Sequence, residues 1–125
     1  LMNSDGVVNP AGTDDVRPGS ERTIIAILRF LLPPVRDNEA AARMLYESGK
    51  EKSWEWSAVR PTDLIDGDVS SYTIYRKPKG SLFGGSVATR SNVAKFMVDL
   101  ILDNALWEEH KFEMPVIHDA LQPKK

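Results

Sequence analysis

The chain has 125 residues, 42% of them apolar and 27% charged, with a formal net charge of −2. Such totals describe one globular domain or a piece of one, able to bury roughly two-thirds of its unfolded surface. Scattered lysines and arginines on a slightly acidic chain exclude an electrostatic footprint for nucleic acid. The lack of cysteine excludes disulfides, thiolate metal sites and a cysteine nucleophile.

No cysteine also fits a reducing compartment, so a cytoplasmic location is expected. The longest apolar run, Ile24 to Leu32, is interrupted by Arg29 and is far too short to span a bilayer. No membrane association is expected, and no basic region precedes an apolar stretch as a signal peptide requires.

In chain order, Leu1-Met2-Asn3-Ser4-Asp5-Gly6 reads as a strand end opening into small polar residues. Residues 6–20 are rich in Gly, Pro, Asn and Asp and read as a long surface loop. Ser20 is placed to cap a helix over Glu21–Leu32, whose apolar positions cover most of its circumference and predict heavy burial. Pro33-Pro34 ends it. Asp37 is an N-cap for a second helix, Asn38 to Ser48, with Gly49 as its stop. After a polar link at Lys50–Ser53, Trp54–Arg60 reads as a strand that stops at Pro61.

Ser70–Lys77 alternates as a short strand, and Leu82-Phe83 suggests another. Ser91 caps an amphipathic helix through Val93, Phe96, Met97 and Leu100, ending near Asp103-Asn104. Ala105–Glu113 reads as a connector, Met114–His118 as an apolar strand, and Pro123-Lys124-Lys125 as a solvated tail. Helices between strands predict an α/β fold with a mainly parallel sheet. Two good strands and a stub are fewer than the four to six or so usual in a sheet. Either the protein dimerises through an open sheet edge, or half of the sheet lies outside these residues. The Leu at position 1 fits the second expectation.

Four segments carry a family resemblance: Leu1-Met2-Asn3-Ser4-Asp5-Gly6-Val7; Leu32-Pro33-Pro34 with Asp37-Asn38-Glu39; Val59-Arg60-Pro61-Thr62-Asp63-Leu64; and Thr89-Arg90-Ser91-Asn92-Val93-Ala94-Lys95-Phe96-Met97. Together they resemble the C-terminal half of an atypical short-chain dehydrogenase/reductase of the NAD(P)H-binding, NmrA-like and flavin-reductase-like type. The resemblance covers nearly the whole chain. It implies a Rossmann-type, doubly wound, mainly parallel sheet lacking its N-terminal half, the half that cradles the pyrophosphate on a glycine-rich loop. This sequence has no G-x-G-x-x-G, and Gly84-Gly85 lacks the spacing.

The resemblance further implies an oxidoreductase or epimerase that uses NADP or NAD on a small-molecule substrate, with weak or no dinucleotide binding by this chain alone. Ser4 is the implied catalytic residue. Asn3, Pro61, Thr62 and Leu64 are implied to line the cofactor, and Asn38 the substrate. Each has a plain alternative. Asn3 and Ser4 suit a turn at a strand end, Pro61 and Thr62 a rigid strand exit, and Arg60 either a phosphate contact or a structural ion pair. The family's Tyr-x-x-x-Lys pair, in which lysine activates a proton-passing tyrosine, is absent from the Asp37-Asn38-Glu39 helix. Tyr72-Thr73-Ile74-Tyr75-Arg76-Lys77 has the residue types but reads as a strand. The alternative is a non-catalytic dinucleotide sensor or protein-interaction module. His110 and His118 lack a ligand-spaced partner, and Asp63, Asp66 and Asp68 lack the spacing of a calcium loop, so no metal is expected. Trp54, Trp56 and Trp107 are read as core or interface residues, with no basic groove to make them a stacking platform.

Overall fold

Residues Ser57 to Pro61 form the axis of the computed structural model, which describes residues 1–51 and 54–120. On one side, Val59 N–H donates to Leu1 O at 2.9 Å and accepts at its own carbonyl from Asn3 N–H at 2.7 Å. On the other, Ala58 and Arg60 donate to Glu113 and Pro115 at 3.1 and 2.7 Å. Alternate residues thus bond to opposite neighbours, as a strand paired on both sides requires.

The elements run α1 (Gly19–Leu31), α2 (Pro33–Glu51), β1 (Arg60–Pro61), β2 (Asp63–Ile65), β3 (Tyr72–Tyr75), β4 (Val87–Thr89), α3 (Arg90–Leu102), α4 (Asn104–His110) and β5 (Val116–Asp119). A three-stranded sheet has the order β1-β5-β3, and β2 and β4 form a separate parallel pair. Strand β5 is parallel to β1 but antiparallel to β3, with Ile74 opposite Ile117. The sheet is therefore mixed rather than mainly parallel. An antiparallel edge strand is a common departure in such sheets, and the intermediate exposure along β3 suits an edge.

Side chains alternate across the sheet and bury against a helix on each face. Trp56, Ala58 and Met114 join Ala42 and Leu45 of α2. Val59 and Ile117 join Val93, Phe96 and Leu100 of α3. Trp56 lies so close to α2 that a Cβ on Gly49 would fall against the indole nitrogen and within 2.8 Å of Cδ1. Gly49 is thus a packing position inside the helix and not its stop. Trp107 is half-buried, its Nε1 donating to Glu55 at 2.7 Å, while Trp54 is exposed.

Several element limits differ from expectation for identifiable reasons. Pro33-Pro34 both ends α1 and opens α2, because proline is tolerated in a first helical turn. Asp37 therefore sits within α2 instead of capping it. Thr89, not Ser91, caps α3, accepting from Asn92 N–H at 3.2 Å. Asp103 starts another helix: its Oδ1 accepts from Ala105 and Leu106 N–H, so part of the supposed connector is α4. Leu82-Phe83 is a turn, and β4 forms just after it. Trp54–Ala58 lies outside the ladder proper. The polar link loses Lys50 and Glu51 to α2, and Lys52, Ser53 and the Pro123-Lys124-Lys125 tail lie outside the described residues.

Helix α1 departs most from expectation. Only Glu21 is buried along it, while Phe30 is 87% exposed and Ile24, Ile27 and Leu31 are exposed too. A helix apolar around its circumference can turn only one side toward a single layer. Here Ile25 and Leu28 face inward.

Candidate functional site

The strand-like segment at Leu1–Asn3 and β1 run parallel and end side by side, Asp5 N–H donating to Pro61 O at 3.1 Å. Ligands sit at such carboxyl ends in α/β sheets. Their exits, Ser4-Asp5-Gly6 and Thr62-Asp63, open into one cavity of about 270 Å³. Helix α2 contributes Asn38, α1 contributes Ile25 and Leu28, and the turn at Leu82-Phe83 covers another side.

Among the expected site residues, Ser4, Asn38 and Thr62 meet at this cavity. The Ser4 hydroxyl accepts from Gly6 N–H at 3.3 Å. Thr62 Oγ1 is buried and has no hydrogen-bond partner among the described residues, a costly state unless something supplies one. Asn3 lies one residue behind. It is buried, donates from Nδ2 to Asn38 O at 3.0 Å and accepts at Oδ1 from Ser4 N–H at 2.9 Å, so it fixes α2 to the strand exit. Pro61 is buried in the β1 ladder opposite Ile117. Leu64 does not reach the cavity. It packs on the α3 core with Val93 and Met97 neighbouring it across a separate groove.

Arg60 is not free to meet a phosphate. Its side chain is fully buried, gripping Asp14 through two bonds of 2.6 and 3.0 Å and donating to the carbonyls of Met114 and Val7 at 2.8 and 3.0 Å. The expected surface loop 6–20 is pinned by this pair, and Asn9 N–H also donates to Asp14 at 2.8 Å.

Sequence reasoning overlooked two carboxylates of the site. Asp5 lines the cavity, and its carboxyl is pushed up to about 6. Loss of water around it is the main cause; Arg17 opposes the rise and Asp63 adds to it. Arg17 reaches Asp5 only at the backbone carbonyl, at 2.7 Å, and spends its other nitrogen on Glu21 at 3.1 Å. Glu21 is buried and accepts from Ser81 Oγ and from Leu82 N–H, and these bonds hold its carboxyl below the ordinary value. That tether places the covering turn, which is bracketed by Gly80 and Gly85 at φ 71° and 74°, a region costly for residues with a Cβ. The signal for Asp5 was its place beside Asn3 and Ser4.

The tyrosines of the Tyr72–Lys77 run lie elsewhere. Tyr72 donates to Asp99 at 3.4 Å, and Tyr75 packs edge-on against His118 at 5.1 Å. His118 borders a larger groove of about 740 Å³ between β4 and β3, where burial lowers its pKa and Nε2 has no partner among the described residues. His110 is buried against Phe96. Among the described residues no group of three or more His, Asp or Glu could hold a metal. No described helix is long and apolar enough to cross a membrane.

Comparison with known proteins bears on the fold and the family. A solved Rossmann-fold NAD(P)-binding family protein from Shigella flexneri superposes with a TM-score of 0.51 at 23% identity, over 83% of this chain and 57% of that one. This chain thus shares the Rossmann fold and spans little more than half the length of that relative. No curated protein matches the sequence. The model of the NAD(P)H-binding family matches residues 7–104, which take in Asn38, β1, Thr62 and α3. The chain belongs to the NAD(P)H-binding family.

Proposed function

We propose that these residues form the nicotinamide and substrate side of an NAD(P)-dependent oxidoreductase- or epimerase-like protein of the short-chain, NmrA-like type. The observation that carries this reading is the meeting of Ser4, Asn38 and Thr62 at one cavity, with Thr62 Oγ1 buried and unpartnered among the described residues. The residues fit the group: Thr62 can bond a carboxamide, Pro61 fixes the strand exit beside it, and Ser4 can orient a substrate carbonyl. When bound, a nicotinamide dinucleotide supplies hydride transfer. Without a Tyr-Lys pair, Asp5 is the group that takes up and releases the proton, its pKa of about 6 leaving it a carboxylate in the resting site at neutral pH. The sequence has no glycine-rich pyrophosphate cradle, so these residues form the C-terminal portion of a doubly wound domain. We place the protein in the cytoplasm, a reducing compartment in which a fold without disulfides is at home, and expect pairing at the Met2 edge of the sheet, by a second copy or by the rest of the domain.

Titration with reduced nicotinamide mononucleotide, followed by amide NMR, tests the site. Shifts confined to Ser4, Asn38 and Thr62 are expected; shifts elsewhere overturn the assignment. Micromolar binding of NADPH by these 125 residues would overturn the half-site reading.

A non-catalytic sensor is the second reading, favoured by the position of Tyr72 and Tyr75 outside the cavity. Turnover of NADPH with small carbonyls or quinones by the full-length protein would remove it.

A further inference from the structure

The cavity at the strand exits is chemically two-sided. Ile25, Leu28, Val35, Leu82 and Phe83 form an apolar wall, and Ser4, Asn38 and Thr62 supply neutral hydrogen-bonding groups. Its charge is of one sign only. Asp5 and Asp63 line it, and among the described residues no lysine, arginine or histidine does. Neither of the two carboxyls has an ion-pair or side-chain hydrogen-bond partner among the described residues; the Arg17 and Arg60 charges act on Asp5 from a distance, but both guanidiniums make their bonds elsewhere. Arg17 is occupied by Glu21 and by the Asp5 carbonyl, and Arg60 is occupied by Asp14. Asp5, partly desolvated and without a bonded partner, is an unmet demand for positive charge or N–H donors; the exposed Asp63 adds a second negative charge at the rim, and both repel an anion placed beside them.

We propose that this cavity selects a small substrate with an apolar body and a cationic or N–H-rich head, and rejects carboxylate-bearing molecules of the same shape. The head meets Asp5 and Asp63; the body lies against the α1 and Leu82-Phe83 wall. The proposal takes from the reading above that the cavity is the substrate compartment, and adds which substrates it admits.

Three probes of one shape and different charge test it: benzylammonium, benzyl alcohol and benzoate, titrated into the chain at low salt with amide NMR as the readout. Benzylammonium is expected to bind at Ser4, Asp5 and Thr62 about tenfold or more tighter than benzoate, with the alcohol between. Asp5→Asn and Asp63→Asn should each erase most of that preference. Asp68→Asn, an exposed position outside the cavity, should leave it intact, which separates local recognition from net charge. Asp63 is exposed, so its variant tests the proposal even if Asp5→Asn unfolds. Equal binding of all three probes, or a preference that survives both substitutions, overturns the proposal. Reduced nicotinamide mononucleotide keeps the two readings apart. If it leaves the cavity signals unmoved while benzylammonium is preferred, the nicotinamide assignment falls and the charge selection stands.

Discussion

Arg60 and Phe30 invert the familiar partition of side chains. The guanidinium is completely buried and the phenyl ring is 87% exposed. The two regions they represent are built differently. Around Arg60, four segments distant in sequence are joined through one polar group: the loop at Val7 and Asp14, the axis at β1, Met114 and the backbone of Arg76. Around Phe30, α1 rests on its neighbours through Ile25, Leu28 and the Arg29–Glu39 pair and offers its other apolar residues to solvent. Burial here follows what can be satisfied. A guanidinium with five donors can be saturated by carbonyls and one carboxylate. A helix apolar all round needs a layer on every side, and the described residues provide one.

The sharpest way to break this comparison is to empty the polar hub. Arg60→Ala leaves Asp14 buried without a counter-charge, holding only the Asn9 N–H, and should cost about 3–5 kcal/mol of unfolding free energy by urea titration. Removing both partners, as Arg60→Met with Asp14→Leu, should recover much of that loss, because no unpaired charge remains. A loss no smaller in the double variant would show that the backbone bonds of Arg60 carry the effect. Next in size is Asn92→Ala. Asn92 is fully buried, accepts from Ser70 N–H at 2.8 Å and donates to Ser70 Oγ and Asp119 at 2.9 and 2.7 Å. Its truncation should cost about 2–3 kcal/mol.

Asp5 lies between the two regions and gives a pH signature. Its folded pKa of about 6 is above the ordinary 3.8, so the folded state binds the extra proton in that window. The associated stability is present below the ordinary value and is lost as pH rises through about 6. Urea midpoints measured from about pH 4 to pH 7 should therefore fall in the parent relative to Asp5→Asn, which lacks this titration. Parallel profiles would show that Asp5 keeps an ordinary pKa. The smallest expected effect is at Phe30. Phe30→Ser should change stability by no more than about 0.5 kcal/mol; a loss of about 2 kcal/mol would mean that the ring is covered in solution.

What the sequence made legible follows the same division. The period of Val93, Phe96, Met97 and Leu100 identified α3, and alternation identified β3, because each pattern faces one packed layer. Ser4 and Thr62 converge because strand exits lie together in this class of fold, and Asn38 joins them because Asn3 ties α2 to the exit. Limits set by a single residue with two uses were misread: proline stops one helix and starts the next, and Asp103 ends α3 while capping α4. Strand β4 has three residues, too few for a period to show. The inward side of α1 could not be read from a sequence apolar in every direction. Asp5 was passed over because the loss of water that raises its carboxyl arises only when the folded chain closes around it.

The Arg60–Asp14 grip has a consequence for descent. The two positions are 46 residues apart, yet neither can change alone without stranding a charge, so they should be inherited as one character. Relatives that keep the pinned loop should carry acid and arginine together or have lost both. A set of related sequences with the pair mixed freely would show that the loop can be fastened in another way.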